Sequence, residues 1–306
     1  MGDDAPQHDS AEQLHKRIDS SRAHPARVYD VFLGGKDNYA ADRDAAAAAL
    51  AANPRGYLDV RHNRDFMRRS VNYLTREAGL RQFLDIGTGL PTQENVHQVA
   101  QRIAPEARIV YVDNDPVVLA HARALLASGP QGATAYIDAD LRDPAKILQD
   151  AANTIDLDAP IALGLVAILH FIEDAEAYDI VRALVDALPV GSALFLSHLT
   201  SDLNAEKIAK VAETYHERGF TFVLRSADEV RRFFTENGLE IVEPGIVPAH
   251  HWRPDHVADH DTDHAAAGRD EAYVASLDPI EQTMYRDIND VTDDDINVYA
   301  AVAFKR

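Results

Sequence analysis

The chain has 306 residues, no cysteine and a formal net charge of −20. That length suits one large α/β domain or a domain with a cap, and the missing cysteines exclude disulfides, thiolate nucleophiles and Cys-ligated zinc or iron–sulfur sites. No apolar run is long enough for a membrane span, the polar N-terminus lacks a secretory pattern, and the acidic balance weighs against nucleic acid or an anionic membrane as partner. A cytoplasmic location fits this composition. The acid is concentrated: residues 255–295 hold thirteen carboxylates against Arg269 and Arg286, the pattern of a solvated insertion.

In chain order, residues 1–20 are polar, without apolar periodicity, and are expected to be a disordered tail. Residues 21–80 read as a helical lid in pieces: 27–33, stopped by Gly34-Gly35; an alanine-rich helix over 42–52; and a helix over 58–78 with Gly79 as its stop. Strands and helices then alternate. The spacing predicts strands over 82–86, 108–113, 133–137, 160–168, 192–199, 239–247 and 297–304. Helices are predicted over 93–103, 116–127, 144–152, 174–187, 203–217 and 226–237, the last opening on a capping box from Ser226 to Glu229. The continuous apolar run of Ile161–Ile168 implies burial on both faces, hence a parallel sheet covered by helices. The alternation of Val298, Ala300, Val302 and Phe304 suits an added antiparallel strand.

The first strand ends in Asp85 and runs through Gly87-Thr88-Gly89 toward a helix, placing backbone N–H groups where an anionic ligand group can meet them. The pattern is D-x-G-x-G-x-P, with Pro91 where a dinucleotide-binding loop has a third glycine. This favours a zwitterionic nucleoside such as S-adenosylmethionine over a pyrophosphate, and it argues against a nicotinamide-dependent oxidoreductase. One strand-helix-strand unit later, Asp113 closes the second strand, where an acid accepts from ribose hydroxyls.

The blocks ARVYDVFLGGKDNYAADR (26–43), FLDIGTGLPT (83–92), VYVDNDPVVLAHARALL (110–126), YIDADLRDP (136–144) and ILHFI (168–172) together resemble a bacterial family of candidate S-adenosylmethionine-dependent methyltransferases, long catalogued as a domain of unknown function. The resemblance covers about residues 20–254 and the final strand. It implies a class I, Rossmann-like α/β fold with a seven-stranded, mostly parallel sheet of order 3-2-1-4-5-7-6, strand 7 antiparallel, and the cofactor at the carboxyl ends of strands 1 and 2. It implies a methyltransferase domain over 81–254 with 296–306, and 255–295 stands apart as the insertion. A protein that binds the cofactor without turning it over, as a regulator or scaffold, is the alternative.

Site residues follow. Asp85, Gly87, Thr88 and Gly89 form the loop, where the glycines let backbone approach the methionine part and the next helix start meets its carboxylate. Asp113 is the ribose acceptor, with Asn114 beside the adenine. Asp140 or Asp138 accepts from the adenine amino group, with the Leu141 N–H next to it. Tyr29, Gly34, Gly35, Lys36, Asn38 and Tyr39 read as a ligand-facing part of the lid, Tyr29 or Tyr39 near the methionine and Lys36 near a carboxylate. Arg22 and Arg64 are weaker clamps for that carboxylate. His170 is the candidate general base for a small-molecule acceptor, with His198 second. Its alternative role is pocket packing, because an activated methyl group needs little beyond in-line placement. His256, His260 and His264 have metal-type spacing, but the acidic, alanine-rich stretch after Pro254 is a poor helix, and no metal is expected.

Overall fold

The computed structural model describes residues 17–91, 94–125, 131–254, 275–277, 279–283 and 288–306. Residues 1–16 of the expected tail and residues 255–274, with His256, His260 and His264, lie outside them. Three helices open the described chain: α1 (Pro25–Phe32), α2 (Ala40–Ala52) and α3 (Gly56–Arg76). The α/β part follows as β1 (Gln82–Ile86), α4 (Val96–Ile103), β2 (Arg108–Asp113), α5 (Pro116–Leu125), β3 (Ala133–Asp138), α6 (Pro144–Ala151) and β4 (Ala162–Val166). A 3₁₀ turn (Leu169–Phe171) leads to α7 (Asp174–Asp186), β5 (Ala193–Leu199), α8 (Ala205–His216), α9 (Ala227–Thr235), β6 (Leu239–Ile241) and β7 (Val247–Pro248). A short α10 (Pro279–Thr283) and the closing β8 (Val298–Lys305) complete it.

The sheet order is β3-β2-β1-β4-β5-β8-β6, with the two-residue β7 paired to β8. β1 to β5 run parallel, and β8 is antiparallel to β5 and β6. With β7 set aside, β8 takes the place of the seventh strand, and this is the class I methyltransferase sheet. Its two faces are sorted by the period of two along each strand. Phe83, Tyr111 and Phe195 pack toward α1–α4, whereas Leu84, Val110, Leu163 and Leu196 pack toward α6, α7 and α9. Full burial of each large apolar side chain contributes about 1.5–3 kcal/mol.

The lid is fixed to the sheet by buried polar groups. Asp42 is fully buried and accepts from the backbone N–H groups of His24 and Tyr39, both at 2.8 Å. Arg69 of α3 donates to the carbonyls of Trp252 (2.9 Å) and Ala249 (2.8 Å), and Trp252 packs edge-on against Phe66 at 5.3 Å. Trp252 thus anchors the start of the following segment onto the domain.

Three expectations change. The helix expected over 93–103 begins at Val96, because Asn95 and Gln98 form a capping box there. The strand expected over 239–247 is interrupted by a turn and becomes β6 and β7. The described part of the acidic stretch is packed against the lid: Arg61 donates to the Thr283 carbonyl at 2.6 Å, His62 Nε2 to the Ile288 carbonyl at 3.0 Å, and Arg55 pairs with Asp295 at 2.6 Å. Basic groups of α3 and its N-cap bind acids and carbonyls that composition alone assigns to solvent.

Candidate functional site

The carboxyl ends of the parallel strands face the lid across a cleft of about 250 Å³. This is the edge at which open α/β sheets take ligands. Asp85, Gly87, Thr88, Gly89, Asp113, Asn114, Asp140, Leu141, Tyr29 and His170 all line it.

The floor is built by hydrogen bonds that fold the glycine loop back onto β2. The Gly87 and Thr88 N–H groups donate to the Val112 carbonyl at 2.8 and 3.3 Å, and the Gly89 N–H donates to Asp113 Oδ2 at 2.9 Å. Gly87 (φ 74°) and Gly89 (φ 66°) occupy the left-handed region. A Cβ on Gly87 would run into Ile168, whereas one on Gly89 would stand in open space. Asp113 Oδ1 accepts from the Asp115 N–H at 2.9 Å, so each carboxylate oxygen is oriented by one backbone bond and keeps a second acceptor site. Asp85 is buried and is pushed up to about 6 by desolvation, against the Thr88 hydroxyl bond and the charge of Arg64.

At the tip of β3 the two aspartates differ in position. Asp140 lines the cleft, receives Asn114 Nδ2 at 3.1 Å and the Arg142 N–H at 2.9 Å, and stands beside the Leu141 N–H, which donates to nothing among the described residues. Asp138 lies outside the lining and pairs with Arg17 at 2.5 Å.

The lid side departs more from expectation. Gly34 and Lys36 do not line the cleft, and neither do Gly35, Asn38 and Tyr39. Asp30, one turn upstream, gathers this loop: it accepts from the Asp37 N–H at 3.1 Å and from Asn38 Nδ2 at 2.9 Å, while its carbonyl accepts from the Gly35 N–H at 2.9 Å. The segment is the closure of α1 around its own aspartate, and Lys36 is left exposed. Tyr29 does reach the cleft, but its hydroxyl is engaged, donating to the Val60 carbonyl (3.1 Å) and accepting from Asn63 Nδ2 (2.8 Å). Asn63 in turn accepts from Ser197 Oγ at 2.5 Å, linking lid to sheet.

Helix α3 is the wall that sequence reasoning largely missed. Gly56, Asp59, Val60, Asn63, Arg64 and Met67 recur at three- and four-residue spacing and share its cleft face. That spacing was readable, yet nothing in it says which face of a polar helix meets a ligand. Arg64 supplies a cation beside Asp85; Arg22 is exposed and lies outside the lining. The helix start after the glycine loop, expected to meet a carboxylate, is instead capped by its own Asn95 and Gln98 and is not part of the cleft. Arg64 lines the cleft instead.

His170 enters the cleft from the turn after β4, is 3% exposed and has no partner for its Nδ1. Burial, His198 and Arg225 hold its pKa well below the usual imidazole range. Arg225 is itself buried and donates to the Leu169 and Ile172 carbonyls, both at 2.8 Å, clamping the turn. It also meets His198 Nε2 at 2.7 Å; that nitrogen must accept, and Nδ1 donates to the Leu199 carbonyl at 2.6 Å. Neither histidine is poised as a base: protonating either puts a second cation beside Arg225 in an apolar setting.

His250 and His251 share Asp293 Oδ1 at 3.0 and 2.5 Å. None of the three lines the cleft.

Sheet, glycine loop and strand-end acids define a class I methyltransferase. The model of the S-adenosyl methyltransferase family matches residues 11–306, and the chain belongs to that family. The match includes residues 255–295. The chain is similar to a solved DUF574 family protein from Streptomyces avermitilis MA-4680, at 44% identity over 95% of this chain and 100% of that one, with a TM-score of 0.82. It is likewise similar to a candidate methyltransferase from Thermobifida fusca YX, at 37% identity over 94% and 96% of the two chains, with a TM-score of 0.76. No curated protein matches it. The protein is an S-adenosylmethionine-dependent methyltransferase. Among the described residues, no helix is long and apolar enough to cross a membrane.

Proposed function

We propose that the cleft holds S-adenosylmethionine across the ends of β1, β2 and β3 and passes its methyl group to a small-molecule acceptor bound under the lid. The observation that carries this reading is the convergence of Asp85, Asp113, Asp140 and Arg64 on one cleft, with open space in front of Gly89. The donor set fits the cofactor's charges. Arg64 pairs with the carboxylate and Asp85 with the ammonium of the methionine part, Asp113 accepts from the ribose hydroxyls, and Asp140 with the Leu141 N–H meets the adenine edge. Asn114 orients Asp140, and Tyr29 supports the wall through Asn63. Bound there, the cofactor supplies a methyl carbon on a positively charged sulfur, so placement of the nucleophile does most of the work. His170, neutral and buried, shapes the acceptor side rather than acting as general base.

On this reading residues 21–80 are the lid over a domain of 81–254 with 296–306, and Thr283, Ile288 and Asp295 of the acidic insertion 255–295 lie against α3 and its N-cap. A cytoplasmic setting fits the acidic, cysteine-free composition. Calorimetry with S-adenosylmethionine, S-adenosylhomocysteine and NAD tests the cofactor assignment: saturable binding of the first two and not the third is expected, and the reverse would defeat it.

A further inference from the structure

Beyond the adenosyl end, the cleft changes character. Its walls there are apolar and aromatic, including Phe171, Tyr215 and Phe222, with the last two rings stacked at 4.5 Å. Of the four lining aspartates, Asp85, Asp113 and Asp140 stand at or just beyond the ends of β1, β2 and β3, whereas Asp59 of α3 is held by Asn297 at the start of β8, on the other side of the sheet order. It stands five residues before Arg64, about 7.5 Å along the helix axis.

Asp59 is 6% exposed and makes no ion pair among the described residues. Its only described partners are the N–H of Asn297 at 2.6 Å and Asn297 Nδ2 at 3.0 Å. The charge that acts on it, Asp295, is also an acid and is already paired with Arg55. Buried carboxylates are ordinarily matched by a cation, since desolvating one alone is costly. Here burial lifts it to about 7 against the two Asn297 bonds, and no cation of the described chain offsets the rest. The chain's strongly acidic balance also draws cations rather than anions toward the cleft. The carboxylate accepts one Asn297 bond on each oxygen, and each oxygen keeps a further acceptor site.

We propose that this compartment is the acceptor subsite for a primary or secondary amine carried on an apolar body, with Asp59 pairing with the ammonium and taking its proton. The inference rests on the methyltransferase reading of the same cleft. The step breaks one N–H bond of the ammonium and forms an O–H bond on Asp59. The nitrogen keeps the bonding pair, becoming a neutral nucleophile inside a dry wall. The aromatic side chains complement both the apolar body and the cation.

The test is calorimetry on the full chain, first with S-adenosylhomocysteine and then, on the saturated protein, with three isosteric probes: 1-naphthylmethylamine, 1-naphthalenemethanol and 1-naphthoate. The amine is expected to bind at least about tenfold tighter than the other two, and Asp59→Asn should erase that margin while leaving S-adenosylhomocysteine affinity unchanged. Should that variant fail to fold, amine titration of the unaltered protein near pH 6 in buffers of different ionisation enthalpy gives the same answer, with proton release expected as Asp59 ionises against the ammonium. An amine no tighter than the alcohol, a margin that survives Asp59→Asn, or no proton release overturns the subsite. Failure of S-adenosylhomocysteine to bind would overturn the cofactor reading instead.

Discussion

The strand-end floor and the lid wall of the cleft are built on opposite plans. On the floor, the loop N–H groups of Gly87, Thr88 and Gly89 are all consumed by β2, through the Val112 carbonyl and Asp113. What the floor presents, beside the Leu141 N–H, is therefore acceptors: Asp85, Asp113 and Asp140. The wall, α3, presents one cation, Arg64, and one unmatched acid, Asp59. The floor's loop is held by its bonds to β2, and the wall adds a cation and an acid of its own. The difference assigns recognition of the nucleoside to the floor, and discrimination of charge at each end of the ligand to the wall.

The largest effect should come from the floor. Asp113→Ala removes both the ribose acceptor and the bond that holds Gly89, and should weaken S-adenosylhomocysteine binding by about 1–3 kcal/mol in calorimetry. An unchanged dissociation constant would show that the nucleoside sits elsewhere. On the wall, Arg64→Ala should cost about tenfold in the same assay, and 5′-methylthioadenosine, which lacks the amino-acid part, should be insensitive to it. Equal losses for both ligands would remove the carboxylate role.

Asp59 gives a pH-dependent difference. Its folded value, about 7, lies above the unfolded 3.8, so the folded state keeps a proton that the unfolded chain releases between those values. Stability from this group is greatest in acid and is lost as pH rises, fully so above about pH 7. Asp59→Asn should therefore raise the melting temperature near pH 8 by a few degrees and change it little near pH 4. A gain at both pH values would point to packing instead of charge. The smallest effect is predicted for Lys36→Ala, which should leave cofactor affinity unaltered because the side chain is exposed and outside the cleft.

The floor was readable in the sequence because its signals are local. An apolar strand ending in Asp85, two glycines, and a second strand ending in Asp113 each depend on residues within one strand-helix-strand unit. The sheet followed from Ile161–Ile168, an apolar run that only a doubly covered strand tolerates. The lid loop misled because Gly34, Gly35 and Lys36 have ligand-loop composition, yet a single carboxylate, Asp30, captures their backbone. Asp59 was not visible because nothing in the spacing of α3 shows that Asn297, far along the chain, meets it without a cation. His170 was placed correctly at the sheet edge, but its basicity depends on Arg225, whose approach belongs to the tertiary fold.

The account stands on adenosyl binding at the strand ends. Titration of S-adenosylhomocysteine into the ligand-stripped protein, with Asp113→Ala run alongside, measures it. Saturable one-to-one binding that weakens sharply in the variant is the predicted result; no saturable heat, or equal affinity in both proteins, would contradict it.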